Sequence, residues 1–143
     1  MLDGKAKKIA SILIVLMFVL SGVFKFIDTD MEASRLDIKL QNNFGIDDPL
    51  DGNGVVILVV LAALWELAGS LMILYGSFHD LLPNKFNDIS PGIIGKYGCM
   101  SLIIFTVIAT LIFHFPPDTP GKYYPFISNV NTVGGLILLA NSF

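Results

Sequence analysis

Glu66 is the only charged residue in a long apolar stretch, ALWELAGSLMILYG at residues 63–76. A carboxylate at the centre of a bilayer costs about 2.5–3.5 kcal/mol on insertion scales, so its side chain must face a protein interior or a wet cavity. Ser70 follows four residues later and lies on the same face of a helix. We therefore expect a polar site inside the protein around Glu66.

Other polar side chains repeat the same four-residue spacing. Ser21 precedes Lys25 by four residues, Thr106, Thr110 and His114 follow one another at this interval, and Cys99 lies seven residues before Thr106. Each set shares one helix face, and the three faces are predicted to converge. The candidate intramembrane polar site consists of Lys25, Glu66, Ser70, Thr106, Thr110 and His114.

A direct pair between Lys25 and Glu66 is not expected. Glu66 lies twelve residues into its apolar segment, a depth of about 18 Å, whereas Lys25 lies close to the end of the first segment on the same side. The remaining gap is about 15 Å, more than the two side chains span. The sequence therefore predicts a protonated Glu66, hydrogen-bonded to Thr106 or to an asparagine of the last helix.

Structural interpretations compete with the functional ones. Glu66 can fix the register between helices or serve as a site for substrate, proton or quinone. His114, next to Phe-Pro-Pro, can be a solvated residue at the interface, and Cys99 a small core residue. The threonines can bond to their own helix. Glycines expected at close helix contacts are Gly22, Gly69, Gly76, Gly134 and Gly135.

The elements that position these residues are apolar segments. The chain is 54% hydrophobic and 15% charged, which is unlike an ordinary soluble domain. Four segments, at 9–27, 54–75, 93–113 and 126–143, approach the roughly 20 residues that a spanning helix needs. We predict an all-α membrane protein: one domain, 1–143, forming a four-transmembrane-helix bundle with both termini on the same side. A signal peptide is the alternative for the first segment, and asparagines make the fourth the weakest.

The connection at 28–53 is long and acidic, with seven Asp or Glu residues. Leu36, Leu40 and Phe44 are four residues apart within it, so a short helix on the membrane surface and a solvated loop are both open. Lysines cluster near the first apolar segment, at Lys5, Lys7 and Lys8, which favours termini in the cytoplasm or matrix.

Several kinds of chemistry have no signature in the sequence. It contains no phosphate-binding glycine loop, no pair of Cys or His residues at metal-ligand spacing and no nucleophile motif, so no metal site is predicted. Cys99 is the single cysteine, which excludes an internal dithiol. The net charge of −3 and scattered basic residues argue against nucleic acid. No cofactor is predicted, although a quinone or a lipid stays open.

Four short motifs resemble one family. LSGVFKFID, ELAGSLMILYGS, VIATLIFHFPP and NVNTVGGLILLA are similar to the successive helices of DoxX-like membrane proteins, and the long first loop is closer to the HR-lesion-inducing-like and Surf4-like relatives. The resemblance covers the whole chain and implies a four-helix bundle with a membrane-embedded polar centre. The positions that match the family signature are Gly22, Lys25, Glu66, Gly69 and His114.

Three functional hypotheses follow. The favoured one is an accessory subunit without catalysis of its own, in a larger membrane complex such as a respiratory one, with the acidic loop as a surface for a basic partner. The second is a quinone-linked oxidoreductase subunit that uses Glu66 and the Thr106–His114 face. The third is the handling of a small molecule or cargo. The expected partners are the lipid bilayer and that complex, and the mitochondrial inner membrane is preferred to the endoplasmic reticulum or a bacterial plasma membrane.

Overall fold

A computed structural model describes residues 3–46, 53–81 and 90–143. Its five helices are α1 (Gly4–Ile27), α2 (Thr29–Phe44), α3 (Asn53–Phe78), α4 (Pro91–Phe113) and α5 (Pro120–Ala140), and a 3-10 turn, His79–Leu81, follows α3. These three ranges contain no strand. The prediction of an all-α protein is confirmed for them.

Helix ends follow local chemistry. The Asp3 side chain caps α1 by accepting a hydrogen bond of 2.6 Å from the Ala6 N–H. Gly45 ends α2 in the left-handed region, at φ 63°, a conformation that glycine adopts without steric cost. α5 begins at Pro120, earlier than the predicted boundary at 126, and contains Pro125. Proline fits the first position, and Pro125 removes only a hydrogen bond within the opening turns.

Three helical segments are long and apolar enough to cross a bilayer: Gly4–Ile27, Asn53–Leu81 and Pro91–Phe113. The shortest has 23 residues, about 34 Å of helix, which exceeds the roughly 30 Å of a hydrocarbon core. Their outward surfaces carry large apolar side chains, for example Leu13, Leu64 and Leu71, each at least half exposed. The chain is therefore an integral membrane protein with lipid as a direct contact.

Glycines join α3 to α4 along one half of their length. A Cβ added to Gly76 would lie 2.6 Å from the Gly95 Cα, and one added to Gly98 would lie 2.8 Å from the Gly69 carbonyl oxygen. No side chain fits between the two backbones there, so the helices approach as closely as small residues allow. We call this region the glycine seam.

α1 runs antiparallel to α3 on another side. Near one end the hydroxyls of Ser11 and Ser77 are hydrogen-bonded at 2.6 Å, in a buried position. Near the other end, a Cβ on Gly22 would lie 3.2 Å from the Ala63 carbonyl oxygen. α3 thus packs against α1 and α4, and it also contacts α2.

Most of the connection between α1 and α3 is helical, because α2 occupies Thr29–Phe44. Ala33 is buried against Val55 and Val59 of the first turns of α3. The Asn43 side-chain amide donates a hydrogen bond of 2.7 Å to the Ile112 carbonyl oxygen, which links the end of α2 to the end of α4. The helical interpretation of this connection is confirmed for 29–44, and residues 47–52 lie outside the described part.

α5 packs mainly on α4, with a smaller contact to α1. Leu136 and Leu139 are fully buried in the same core cluster as Cys99 and Leu102. The close helix contact expected at Gly134 is absent, because a Cβ there would meet nothing within 4 Å, and Gly135 has only an ordinary contact with Ile14. Glycines alone did not reveal which face of α5 meets its neighbours.

Candidate functional site

Three side chains from two helices form a hydrogen-bonded cluster. The Lys25 ammonium donates to Glu66 Oε2 at 2.7 Å and to Ser21 Oγ at 2.6 Å, and the Ser21 hydroxyl donates to Glu66 Oε1 at 2.9 Å. The Glu66 side chain is 3% exposed and that of Lys25 is 20% exposed. Both carboxylate oxygens are therefore satisfied inside the bundle. We call this group the Ser21–Lys25–Glu66 cluster.

The expectation that Lys25 and Glu66 stay apart is wrong. It assumed that the ends of the two apolar segments are level, but the first turns of α3 pack beside α2 and extend past the end of α1. Gly22 is consequently level with Ala63, which brings Lys25 within reach of Glu66. The partners of Glu66 are Lys25 and Ser21, rather than Thr106 or an asparagine.

Local sequence explains why this cluster can form. Ser21 and Lys25 are one helical turn apart, so both face α3. Gly22, between them, allows the α1 backbone to approach the Ala63 carbonyl oxygen and the Leu67 side chain. An ionised Glu66 beside the Lys25 ammonium cancels the charge within the cluster, which reduces the cost of placing Glu66 among apolar helices. The protonated Glu66 expected from the sequence presupposed that Lys25 is out of reach, and that premise is wrong.

A cavity of about 800 Å³ adjoins the cluster. It lies among α1, α2, α3 and α4, with one contribution from α5, and most of its lining is aliphatic or aromatic. Pockets that hold small molecules typically have volumes of about 300–1,000 Å³, an apolar lining and few polar groups. The polar residues of the lining are Ser21, Lys25, Glu32, Glu66, Thr106, His114 and Asn129.

The two threonines of α4 use their protons within the helix. Thr106 Oγ1 donates to the Leu102 carbonyl oxygen at 2.7 Å, and Thr110 Oγ1 donates to the Thr106 carbonyl oxygen at 2.6 Å. Asn129 of α5 donates to Thr110 Oγ1 at 2.8 Å. The interpretation that the threonines bond to their own helix is confirmed, and Thr110 additionally joins α4 to α5.

His114 caps the end of α4 and is half-buried at the cavity wall. Partial burial, together with the positive charge of Lys39, lowers the pKa of this imidazole below its usual value near 6.5. The side chain is consequently neutral at pH 7. It offers the cavity a hydrogen-bonding ring rather than a positive charge.

Other candidates lie away from the cavity. Cys99 is fully buried in the main core cluster, as expected for a small core residue. Ser70 is also fully buried, and within the described ranges its hydroxyl has no hydrogen-bond partner. The structure thus gathers Lys25, Glu66, Thr106 and His114 around one space and leaves Ser70 and Thr110 outside its lining.

Three residues that shape the site were not predicted from the sequence: Glu32, Trp65 and Phe105. An asparagine of the last helix was expected at Glu66, but Asn129 lines the cavity and is bonded to Thr110 instead. The Lys25 ammonium lies 5.7 Å from the centre of the Phe105 ring, and Trp65 packs at 5.9 Å from the same ring. One signal was available, because Glu32, Leu36 and Leu40 repeat at four-residue intervals and all line the cavity.

Among the described residues, no group of three or more His, Cys, Asp or Glu side chains is placed to hold a metal ion. No family model, curated protein or solved structure matches the chain. The resemblance to DoxX-like proteins stays a prediction.

Proposed function

We propose that this protein is a small integral membrane protein that binds a lipid-soluble, amphipathic molecule in the cavity beside Glu66. The observation that carries the proposal is the combination of a large apolar space with an internally neutralised polar cluster in its wall. Quinones, prenols and neutral glycerides belong to the class of molecule that such a space suits. A quinone-linked redox subunit would be one specialised form of this function.

The setting of the cavity supports the proposal. Its walls come largely from the three helices that can cross a bilayer, so a molecule dissolved in the membrane has a short route to it. Side chains such as Leu58, Ile108 and Ile112 provide apolar contact for a tail. Ser21, Lys25 and Glu66 provide polar atoms for a head group at one part of the wall.

The topology that we propose for this function is a four-helix bundle with α5 as the fourth span and both termini on one side of the membrane. Two contacts support it. Asn129 of α5 reaches Thr110 of α4, while Phe143, after α5, would collide with a Cβ on Gly95 near the other end of α4. The Lys7 ammonium lies 4.9 Å from the centre of the Phe143 ring, which brings the beginning of α1 close to the last residue.

The test is a comparison of two matched variants in α3. Ala62 lines the cavity, whereas Ala68 is exposed on the outer surface. Each variant, Ala62→Phe and Ala68→Phe, is purified in mild detergent, and molecules released by organic extraction are quantified by mass spectrometry. We expect wild type and Ala68→Phe to retain a lipophilic molecule that Ala62→Phe loses. Equal recovery from all three proteins, with equal elution in size exclusion, would reject the proposal.

A second candidate function is an accessory subunit of a larger membrane complex, possible for the same bundle. It is favoured by the outer face of α5, where Ser128 and Asn131 are exposed. If α5 spans the membrane, these polar groups are costly against lipid and are better placed against another polar helix. Migration on a native gel tests this, since a discrete large band with comigrating subunits supports it and a monomer or small oligomer rejects it.

The membrane in which the protein works is part of the same proposal. We keep the mitochondrial inner membrane as the first choice, because an accessory role in a respiratory complex would place the protein there. Fractionation of cells that carry a tagged chain tests the choice, and enrichment with the endoplasmic reticulum would reject it.

A further inference from the structure

The Lys25 ammonium has one donor more than its partners use. Two of its three N–H groups are directed to Ser21 Oγ and Glu66 Oε2. Within the described residues no acceptor is bound to the third, although the side chain lines the cavity and is 20% exposed. Each Glu66 oxygen already accepts one hydrogen bond, and the side chain is only 3% exposed, so its remaining lone pairs are shielded from the cavity. What the cluster offers an incoming molecule is therefore a hydrogen-bond donor.

We propose that the cavity selects molecules with an uncharged head group whose oxygen, a hydroxyl, carbonyl or ester oxygen, accepts the third hydrogen bond of Lys25. This inference rests on the proposed function, because it specifies the class of ligand for the same cavity. The apolar remainder of the molecule lies against the aliphatic and aromatic lining.

The charges around the cavity argue against an ionised head group. Lys25 is neutralised by Glu66 at 2.7 Å, and Glu32, the other carboxylate of the lining, is paired with Arg35 at 2.7 Å. Among the described residues of the lining, His114 is the remaining titratable group, and it is neutral at pH 7. Among the lining residues that the structure describes, an anion would find no free positive charge, since Lys39 lies outside the lining, and a cation would be held near the Lys25 ammonium. Burial of an unpaired charge is strongly unfavourable, so both should be rejected.

Asn129 adds a second polar point in the lining. One N–H of its amide is used by Thr110 Oγ1, at 2.8 Å. A primary amide has a further N–H and a carbonyl oxygen. A head group with two oxygens can thus accept one hydrogen bond from Lys25 and one from Asn129 while carrying no charge itself, which agrees with selection by hydrogen bonding.

The single tryptophan of the chain makes a direct test possible. Trp65 lines the cavity, and bromine atoms on a nearby acyl chain quench indole fluorescence. The protein is reconstituted in phosphatidylcholine nanodiscs and titrated with three probes that share one dibrominated C18 chain. Their head groups are a hydroxyl, a sulfate ester and a trimethylammonium group. Since Trp65 is also exposed to lipid, Ala62→Phe measures the quenching that does not require the cavity, and Ala68→Phe is its matched control.

In wild type we expect half-maximal quenching by the alcohol at a mole fraction about tenfold lower than by either charged probe. The difference should vanish in Ala62→Phe and persist in Ala68→Phe. Glu66→Gln provides the sharpest variant, because it leaves Lys25 without its counter-charge. In this variant the preference should shift by at least about tenfold toward the sulfate ester.

The outcomes separate the two proposals. If a charged probe binds wild type as well as the alcohol does, and Ala62→Phe abolishes that binding, the head-group inference is overturned while the proposed function stands. If all three probes quench wild type and Ala62→Phe identically, the cavity binds none of them and both proposals fail. The comparison in wild type does not depend on the folding of Glu66→Gln.

Discussion

α3 and α4 form two unlike regions along one antiparallel pair. In the glycine seam, Gly69 and Gly76 meet Gly98 and Gly95, and the backbones touch. Toward the other end, Trp65 and other large side chains of both helices surround the cavity, and an aromatic contact of 5.9 Å joins Trp65 to Phe105. Side-chain size thus decides whether the pair closes or opens. We call the part of the pair around the cavity the open region. It depends more on specific polar contacts to α1, because α3 and α4 lack close backbone packing there.

The largest expected effect comes from breaking the polar contact of the open region. Lys25→Met keeps the length of the side chain and leaves Glu66 buried without a counter-charge, so we expect a loss of about 3–5 kcal/mol in the free energy of unfolding. Thermal unfolding in detergent, followed by circular dichroism, measures it.

Lys122→Met is the control for this variant, because it removes an exposed ion pair with Asp118 at 3.1 Å. Surface pairs contribute little, so its unfolding should be unchanged. Equal unfolding of Lys25→Met and Lys122→Met would show that the open region does not depend on the Ser21–Lys25–Glu66 cluster.

The next effect is expected in the glycine seam. Gly76→Ala places a Cβ 2.6 Å from the Gly95 Cα, and relief requires the helices to separate, at a cost of about 1–3 kcal/mol. Gly134→Ala is the same change where nothing lies within 4 Å, and there the better helix propensity of alanine should stabilise by up to about 1 kcal/mol. Unfolding experiments should therefore show that Gly76→Ala lowers the stability and Gly134→Ala raises it. A stabilised Gly76→Ala would contradict the close backbone contact of the glycine seam.

A smaller effect distinguishes two buried serines of α3. Ser77 is hydrogen-bonded to Ser11, whereas the Ser70 hydroxyl has no partner among the residues that the structure describes. Ser77→Ala should destabilise by about 1 kcal/mol, since Ser11 is left unsatisfied. Ser70→Ala removes an unsatisfied buried group and should be neutral or stabilising. If Ser70→Ala loses as much stability as Ser77→Ala, the Ser70 hydroxyl must form a hydrogen bond, and the expectation for Ser70 would be wrong.

The apolar segments largely determined the helices in advance, because runs of about 20 apolar residues ended by Pro and Gly permit little else. The interior position of Glu66 followed from the cost of exposing a charge to lipid. The Lys25–Glu66 pair did not follow, because it depends on how far α3 extends beyond α1. The glycine seam was predicted only on its α3 side. Its α4 side consists of Gly95 and Gly98, and spacing along one helix cannot identify the residues that it meets on another. The cavity depends on α2, whose amphipathic stripe was equally compatible with a membrane surface.

The smallest effect concerns His114, a titratable side chain in the wall of the open region. Its folded-state pKa lies below the unfolded value, so the unfolded chain binds the proton more readily between the two values. Stability should therefore be complete above the unfolded value near 6.5 and decrease as the pH falls through the folded pKa. Because His114 is partly exposed, the decrease should be small. Unfolding temperatures between pH 7.5 and 5 measure it in wild type and in His114→Gln, where the decrease should shrink.

Lys39→Gln provides the complementary change, since removing that positive charge should raise the pKa of His114 in a histidine NMR titration. An unshifted titration would mean that burial alone keeps the imidazole neutral, and the open region would then owe its neutrality to its apolar lining rather than to α2.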